Sequence, residues 1–125
     1  MGVRTQMRVA HDPPAEAMQQ CLVRDLNEIT ERANDALPCG VVRAGLRCEC
    51  GDPAFHSHVF PTHAAYEDVR ASSSRFVIGP DHENPESAYL VAERPGYSVV
   101  DVFDGPARYV VRARGPRHAF VEDTR

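Results

Sequence analysis

The chain has 125 residues, 42% of them hydrophobic, with 14 basic residues, all arginine, against 18 acidic ones and a net charge of −4. That length suits one domain with a small core, whose stability would gain from a bound metal. No apolar run reaches the ~18 residues a membrane span needs, no apolar segment follows Arg4 and Arg8, and the acidic balance argues against generic affinity for phosphate backbones, so a soluble cytoplasmic protein is expected.

Residues 1–13 lack periodicity and read as a flexible N-terminus, and Pro13-Pro14 favours a helix start because a first-turn N–H has no partner to lose. Met18, Cys21, Leu22, Leu26, Ile29, Ala33 and Leu37 then recur at three- and four-residue steps. Arg24, Asp25, Glu28, Glu31 and Arg32 fall mostly on the other side. This predicts a long amphipathic helix, apolar stripe inward, ending at Leu37-Pro38-Cys39-Gly40. From Val42 to Cys50 the even positions are apolar or thiol-bearing, the period of a half-buried strand, and both thiols would project from one face. Gly51-Asp52-Pro53 turns the chain and His56–Phe60 returns beside it as a second strand.

Thr62 reads as the N-cap of a short helix to about residue 71, with Pro61 and Tyr66 placed to form a hydrophobic staple. Arg75–Ile78 is a brief strand, and residues 79–85, with Gly79, Pro80 and Pro85, form a loop. Residues 88–94 and 97–103 read as a hairpin closed at Pro95-Gly96, and Asp104-Gly105 leads to a last strand around Tyr109-Val110-Val111. The expected fold class is α+β, a long N-terminal helix on an antiparallel meander, as one domain over residues 14–115 with a tail at 116–125.

The potential ligands gather in the middle of the chain. Cys48 and Cys50 alternate on one predicted strand face, His56 and His58 would share a face of the next, and His82 sits on a loop. Two thiols and up to three imidazoles are donors that tetrahedral zinc accepts, and thiols in a reducing compartment are more often ligands than bridges. Against this stands the plainer reading of two small buried thiols beneath the helix and solvent-facing histidines. Cys39 offers a further thiol, Cys21 belongs to the helix core, and His11, His63 and His118 are expected to face solvent. No Gly-x-Ser-x-Gly, phosphate-binding glycine loop or His-Glu-x-x-His is present. A metal-dependent enzyme would need an open His56/His58/His82 site with Glu83 or Asp52 as base. Arg108, Arg112 and Arg114 alternate along the predicted last strand, a basic stripe that nucleic acid would use only if aromatics joined it.

Cys48-Glu49-Cys50-Gly51-Asp52-Pro53, the Tyr66–Arg70 helix, Arg75-Phe76-Val77, the Pro80–Glu86 loop and Gly96–Val100 resemble the corresponding segments of short uncharacterised actinobacterial proteins. The resemblance covers about residues 15–102. It implies a metal site of Cys48, Cys50 and His82, with His56 or His58 replacing a third cysteine that such proteins carry where this chain has Phe55. It implies no activity. The expectation is therefore a zinc-binding regulatory or interaction domain with a protein partner.

Overall fold

The computed structural model describes residues 13–38, 40–52 and 57–114. Helix α1 spans Pro13–Asp35 and strands β1 (Leu46–Arg47) and β2 (His58–Val59) form a two-residue antiparallel ladder. Helix α2 spans His63–Arg70, strands β3 (Arg75–Ile78), β4 (Ala88–Arg94) and β5 (Tyr97–Val102) follow, and helix α3 (Pro106–Ala113) ends the described chain. The second sheet has order β3-β5-β4, antiparallel throughout, with a register shift between Leu90 and Ala92. The fold class is α+β.

Strand alternation gives this sheet two buried faces. Phe76, Ile78, Val100 and Val102 meet Ala17 and Cys21 of α1 and Val111 of α3, together with Cys48 and Cys50. Val77 and Val99 on the opposite face meet Leu46, Val59, Tyr66 and Val69. The sheet is therefore a middle layer between the α1/α3 pair and the small β1-β2 sheet with α2. Helix α2 starts as its sequence requires: the Thr62 hydroxyl accepts from the Ala65 N–H at 3.1 Å, and Pro61 and Tyr66 are both buried.

Helix α1 exists where its periodicity places it, but its faces are reversed. The inward face carries Gln20, Arg24, Asn27, Glu31 and Asn34, all at most 7% exposed, while Leu22, Leu26 and Ile29 are 47%, 50% and 56% exposed. Of the expected stripe only Cys21 is buried. The cause is segment 43–50, in which only Leu46–Arg47 forms a strand, so that the backbone groups of Ala44 and Arg47 and the Glu49 carbonyl are met by α1. The Asn34 carboxamide accepts from the Ala44 N–H (2.8 Å) and donates to the Ala44 carbonyl (2.9 Å), and Asn27 does the same for Arg47 at 2.9 Å each. Gln20 donates to the Glu49 carbonyl at 3.2 Å. Primary amides on one helix face thus stand in for a neighbouring strand, satisfying groups that burial would otherwise leave costly.

The last expected strand is also corrected, because residues 106–113 are helical. Pro106 occupies the first turn, where its missing N–H costs nothing. Ala107, Val110 and Val111 face the core at helical spacing. Arg24 closes the far end of α3: buried, it donates to the carbonyls of Val111 and Arg114 at 3.3 Å each and of Ser73 at 2.6 Å, with its guanidinium 4.7 Å over the Phe76 ring. The basic stripe does not form. Arg108 turns back to the Val102 carbonyl, Asp101 and Asp104, and Arg114 pairs with Asp25.

Candidate metal centre

Residues Glu49–Gly51 are held from two sides. On one side lies α1, through Gln20 and Asn27. On the other lies β3, where the Glu49 N–H donates to the Val77 carbonyl (2.8 Å) and the Val77 N–H donates to Glu49 Oε1 (2.9 Å). Glu49 is fully buried, a break in the expected alternation at this position, and burial pushes its carboxyl up to about 7 against the hydrogen bonds from Asn27 and Val77. Gly51 follows at φ +84, and a Cβ there would stand 2.7 Å from Glu16 Cγ. Only glycine suits both the left-handed turn and the close approach of α1.

The second segment is the turn after β3. The His82 N–H donates to the Gly79 carbonyl at 3.2 Å, and Asp81 adopts a left-handed φ of 66, which a short acidic side chain tolerates. This turn folds the imidazole back over Cys48. His82 Nδ1 lies 3.1 Å from Cys48 Sγ, and the Gly79 N–H donates to the same sulfur at 3.1 Å.

Cys48 Sγ, Cys50 Sγ and a His82 ring nitrogen all lie within 4.8 Å of one another. Metal–ligand bonds of about 2.0–2.3 Å in a tetrahedron put ligand atoms roughly 3.5–3.8 Å apart, so embracing an ion would open the 3.1 Å Cys48–His82 contact by about half an ångström and close the widest separation by up to about 1 Å. The two sulfurs lie close enough for one thiol proton to bond to the other sulfur. Hydrogen bonding from Cys48 lowers the Cys50 thiol to about 7, and the same bond, with burial, raises Cys48. A cation placed between the sulfurs would take over the role of that proton. Beside His82, Glu83 Oε1 is buried with no hydrogen-bond partner among the described residues.

The other expected ligands are placed as follows. His58 pairs with Arg47 across the β1-β2 ladder, both exposed, while their neighbours Leu46 and Val59 fill the core. His58 lies outside the Cys48–Cys50–His82 group, because alternation turns it outward. His56, Cys39, His11 and His118 lie outside the described residues. His63 does not simply face solvent: its Nδ1 sits 2.7 Å from Glu31 Oε2, tying α2 to α1.

Helix α1 and the Cys48 segment enclose a cleft of ≈ 150 Å³ lined by Leu22, Leu26, Arg47, Cys48, Gly51 and Asp52. That is below the ~300 Å³ at which small-molecule sites begin.

Over 66 residues the chain is 35% identical to the arginine N-succinyltransferase of Enterobacter sp. (strain 638), a match covering 50% of this chain and 19% of that protein. The chain thus spans about a fifth of that relative's length. No family model and no solved structure matches the chain. Among the described residues no helix is long and apolar enough to cross a membrane.

Proposed function

We propose that Cys48, Cys50 and His82 bind one zinc ion and that the protein works as a small zinc-stabilised regulatory or interaction domain. One observation carries this: three donors of the right chemistry converge within 4.8 Å. Cys48 and His82 stand on backbone that hydrogen bonds already fix, and Cys50 follows Glu49, which α1 and β3 hold; this is the preorganisation a metal site requires. The fourth position falls to His56 or to water.

Metal analysis of purified protein tests the site. One equivalent of zinc is expected in the wild type and much less in the Cys48→Ser/Cys50→Ser double variant; a full equivalent in that variant overturns the assignment. Cobalt substitution adds a second readout, with thiolate-to-cobalt absorption expected in the wild type and weakened in either single serine variant. His56→Ala distinguishes the two sources of the fourth ligand, since it alters the cobalt spectrum only if His56 coordinates.

A further inference from the structure

The reversed face of α1 leaves an apolar stripe along the helix, extended by Leu37 just past its end. Met18, Leu22, Leu26, Ile29 and Leu37 are between 37% and 56% exposed. Together they present about 400 Å² of surface, in the range of the largest patch that a monomer shows, and such patches are often functional.

The geometry points to a second copy of this chain as the occupant, docked antiparallel, α1 on α1. The stripe is close to palindromic. When Leu26 is set against the partner's Ile29, Leu22 faces the partner's Ala33, so each of the four seam positions meets an apolar one, while Met18 lies on the flank of Asp25 and Arg32 and Leu37 lies past the end of α1. The spacing Leu22, Leu26, Ile29, Ala33 is the four-three-four step of a helix–helix seam. The charges beside the seam agree with the same register. Asp25 and Arg32 lie on one flank, and the antiparallel pairing brings Asp25 next to the partner's Arg32 twice by symmetry. A parallel pairing would instead put Asp25 against the partner's Thr30 and Arg32 against the partner's Leu37, with no opposite charges meeting. Asp25 also faces Arg114 of its own chain at 3.6 Å, which leaves a carboxylate oxygen for the second arginine. The stripe side chains of two copies would bury about 800 Å², and with flanking residues the interface approaches the ~1,200 Å² lower bound of specific association, so a micromolar dimer is expected.

Sedimentation equilibrium of the full chain over micromolar to ~0.5 mM decides the matter. A monomer–dimer equilibrium is expected, and a Leu26→Glu/Ile29→Glu variant should weaken it at least about a hundredfold while keeping the wild-type circular dichroism spectrum. Asp25→Arg alone should weaken it about tenfold by setting two arginines together, and Asp25→Arg/Arg32→Asp should restore it. A full chain that stays monomeric overturns the proposal. If that monomer dimerises once residues 1–12 are removed, the stripe belongs to the chain's own N-terminal segment. A dimer insensitive to Leu26→Glu/Ile29→Glu, or a charge exchange without rescue, overturns the interface and its antiparallel register respectively.

Discussion

Replacing Asn27 with alanine removes a side chain that is 1% exposed and makes three hydrogen bonds: to the Arg47 carbonyl and from the Arg47 N–H at 2.9 Å each, and to Glu49 Oε2 at 2.8 Å. Each group left without a partner costs about 1–3 kcal/mol when buried. The two Arg47 groups are part-buried and water will reach them, so they count near the lower limit. Glu49 lies deep in the fold and loses one of the hydrogen bonds that keep its charge. The sum is about 3 kcal/mol, a large part of the 5–15 kcal/mol that holds a typical domain together, and equivalent to a fall in Tm of roughly 12 °C for a chain of this length. Urea unfolding in excess chelator measures the loss, and the same titration with zinc measures how far the metal recovers it. Because Arg47 and Glu49 bracket Cys48, zinc affinity should fall as well, by about tenfold. Leu26→Ala, one position earlier, should cost under about 0.5 kcal/mol at concentrations where the chain is monomeric. If Asn27→Ala cost less than about 1 kcal/mol and left zinc affinity intact, the inward polar face would not be what holds the cysteine segment, and the reasoning would fail.

Gly79→Ala would place a Cβ 3.2 Å from His82 Nδ1 and 3.3 Å from Ser57 Oγ, so zinc affinity should fall about tenfold while the metal-free Tm changes little; competition with a chromophoric chelator measures it. Chelation of the wild type should lower Tm, and the Cys48→Ser/Cys50→Ser variant should show no further fall on chelation. Arg24→Met removes the donors that close α3, and trypsin should then cut after Arg108 and Arg112 faster than in the wild type. The His63–Glu31 contact makes a pH prediction. Hydrogen bonding to Glu31 raises His63 above 6.5, so its contribution is complete below that pH and is lost as pH rises through the raised value. Burial works to raise Glu31, but bonds from His63, Arg43 and Asn34 outweigh it and hold the carboxyl below 4.5, so its contribution is lost only as pH falls through that lower value. The Tm difference between wild type and His63→Ala should therefore be greatest between about pH 4.5 and 6.5 and shrink on either side, and a difference that is flat with pH would refute the contact.

Most element positions were legible because local chemistry fixed them. Thr62 with Pro61 and Tyr66 specified the start of α2, Pro95-Gly96 closed the β4-β5 hairpin, and the apolar run Phe76–Ile78 could only be a buried strand. The C-terminal element was misread because Tyr109, Val110 and Val111 favour strands by propensity, whereas packing of Ala107, Val110 and Val111 against the sheet, and the Arg24 cap, favour a helix. A signal was present: Pro106 directly after Asp104-Gly105 is as good a helix start as Pro13. The Cys48–Cys50–His82 grouping was legible from donor type, from the alternation of the two cysteines and from the resemblance, but His58 was not separable from it until the ladder fixed which way that side chain turns.

The reversal of α1 shows why periodicity locates a helix better than it orients one. Gln20, Arg24, Asn27, Glu31 and Asn34 repeat at four- and three-residue steps, as the apolar stripe does, so both faces satisfy the same period. Hydrophobicity then assigns the apolar face inward, unless the surface beneath the helix is backbone rather than side chain. Here it is backbone, since β1 and β2 pair over only two residues and leave the Ala44 and Arg47 groups and the Glu49 carbonyl to be satisfied from above. Only side chains with both a donor and an acceptor can answer a peptide group bidentately, and Asn27 in mid-helix and Asn34 in the last turn stand there despite their poor propensity because they do this. Asparagine at helical spacing, opposite an apolar stripe and followed by a thiol-bearing extended segment, therefore points to a helix that grips backbone with its polar face. The apolar stripe on the reverse is then left for a partner, so the choice that holds the candidate ligands in place is also the choice that creates the proposed dimer surface.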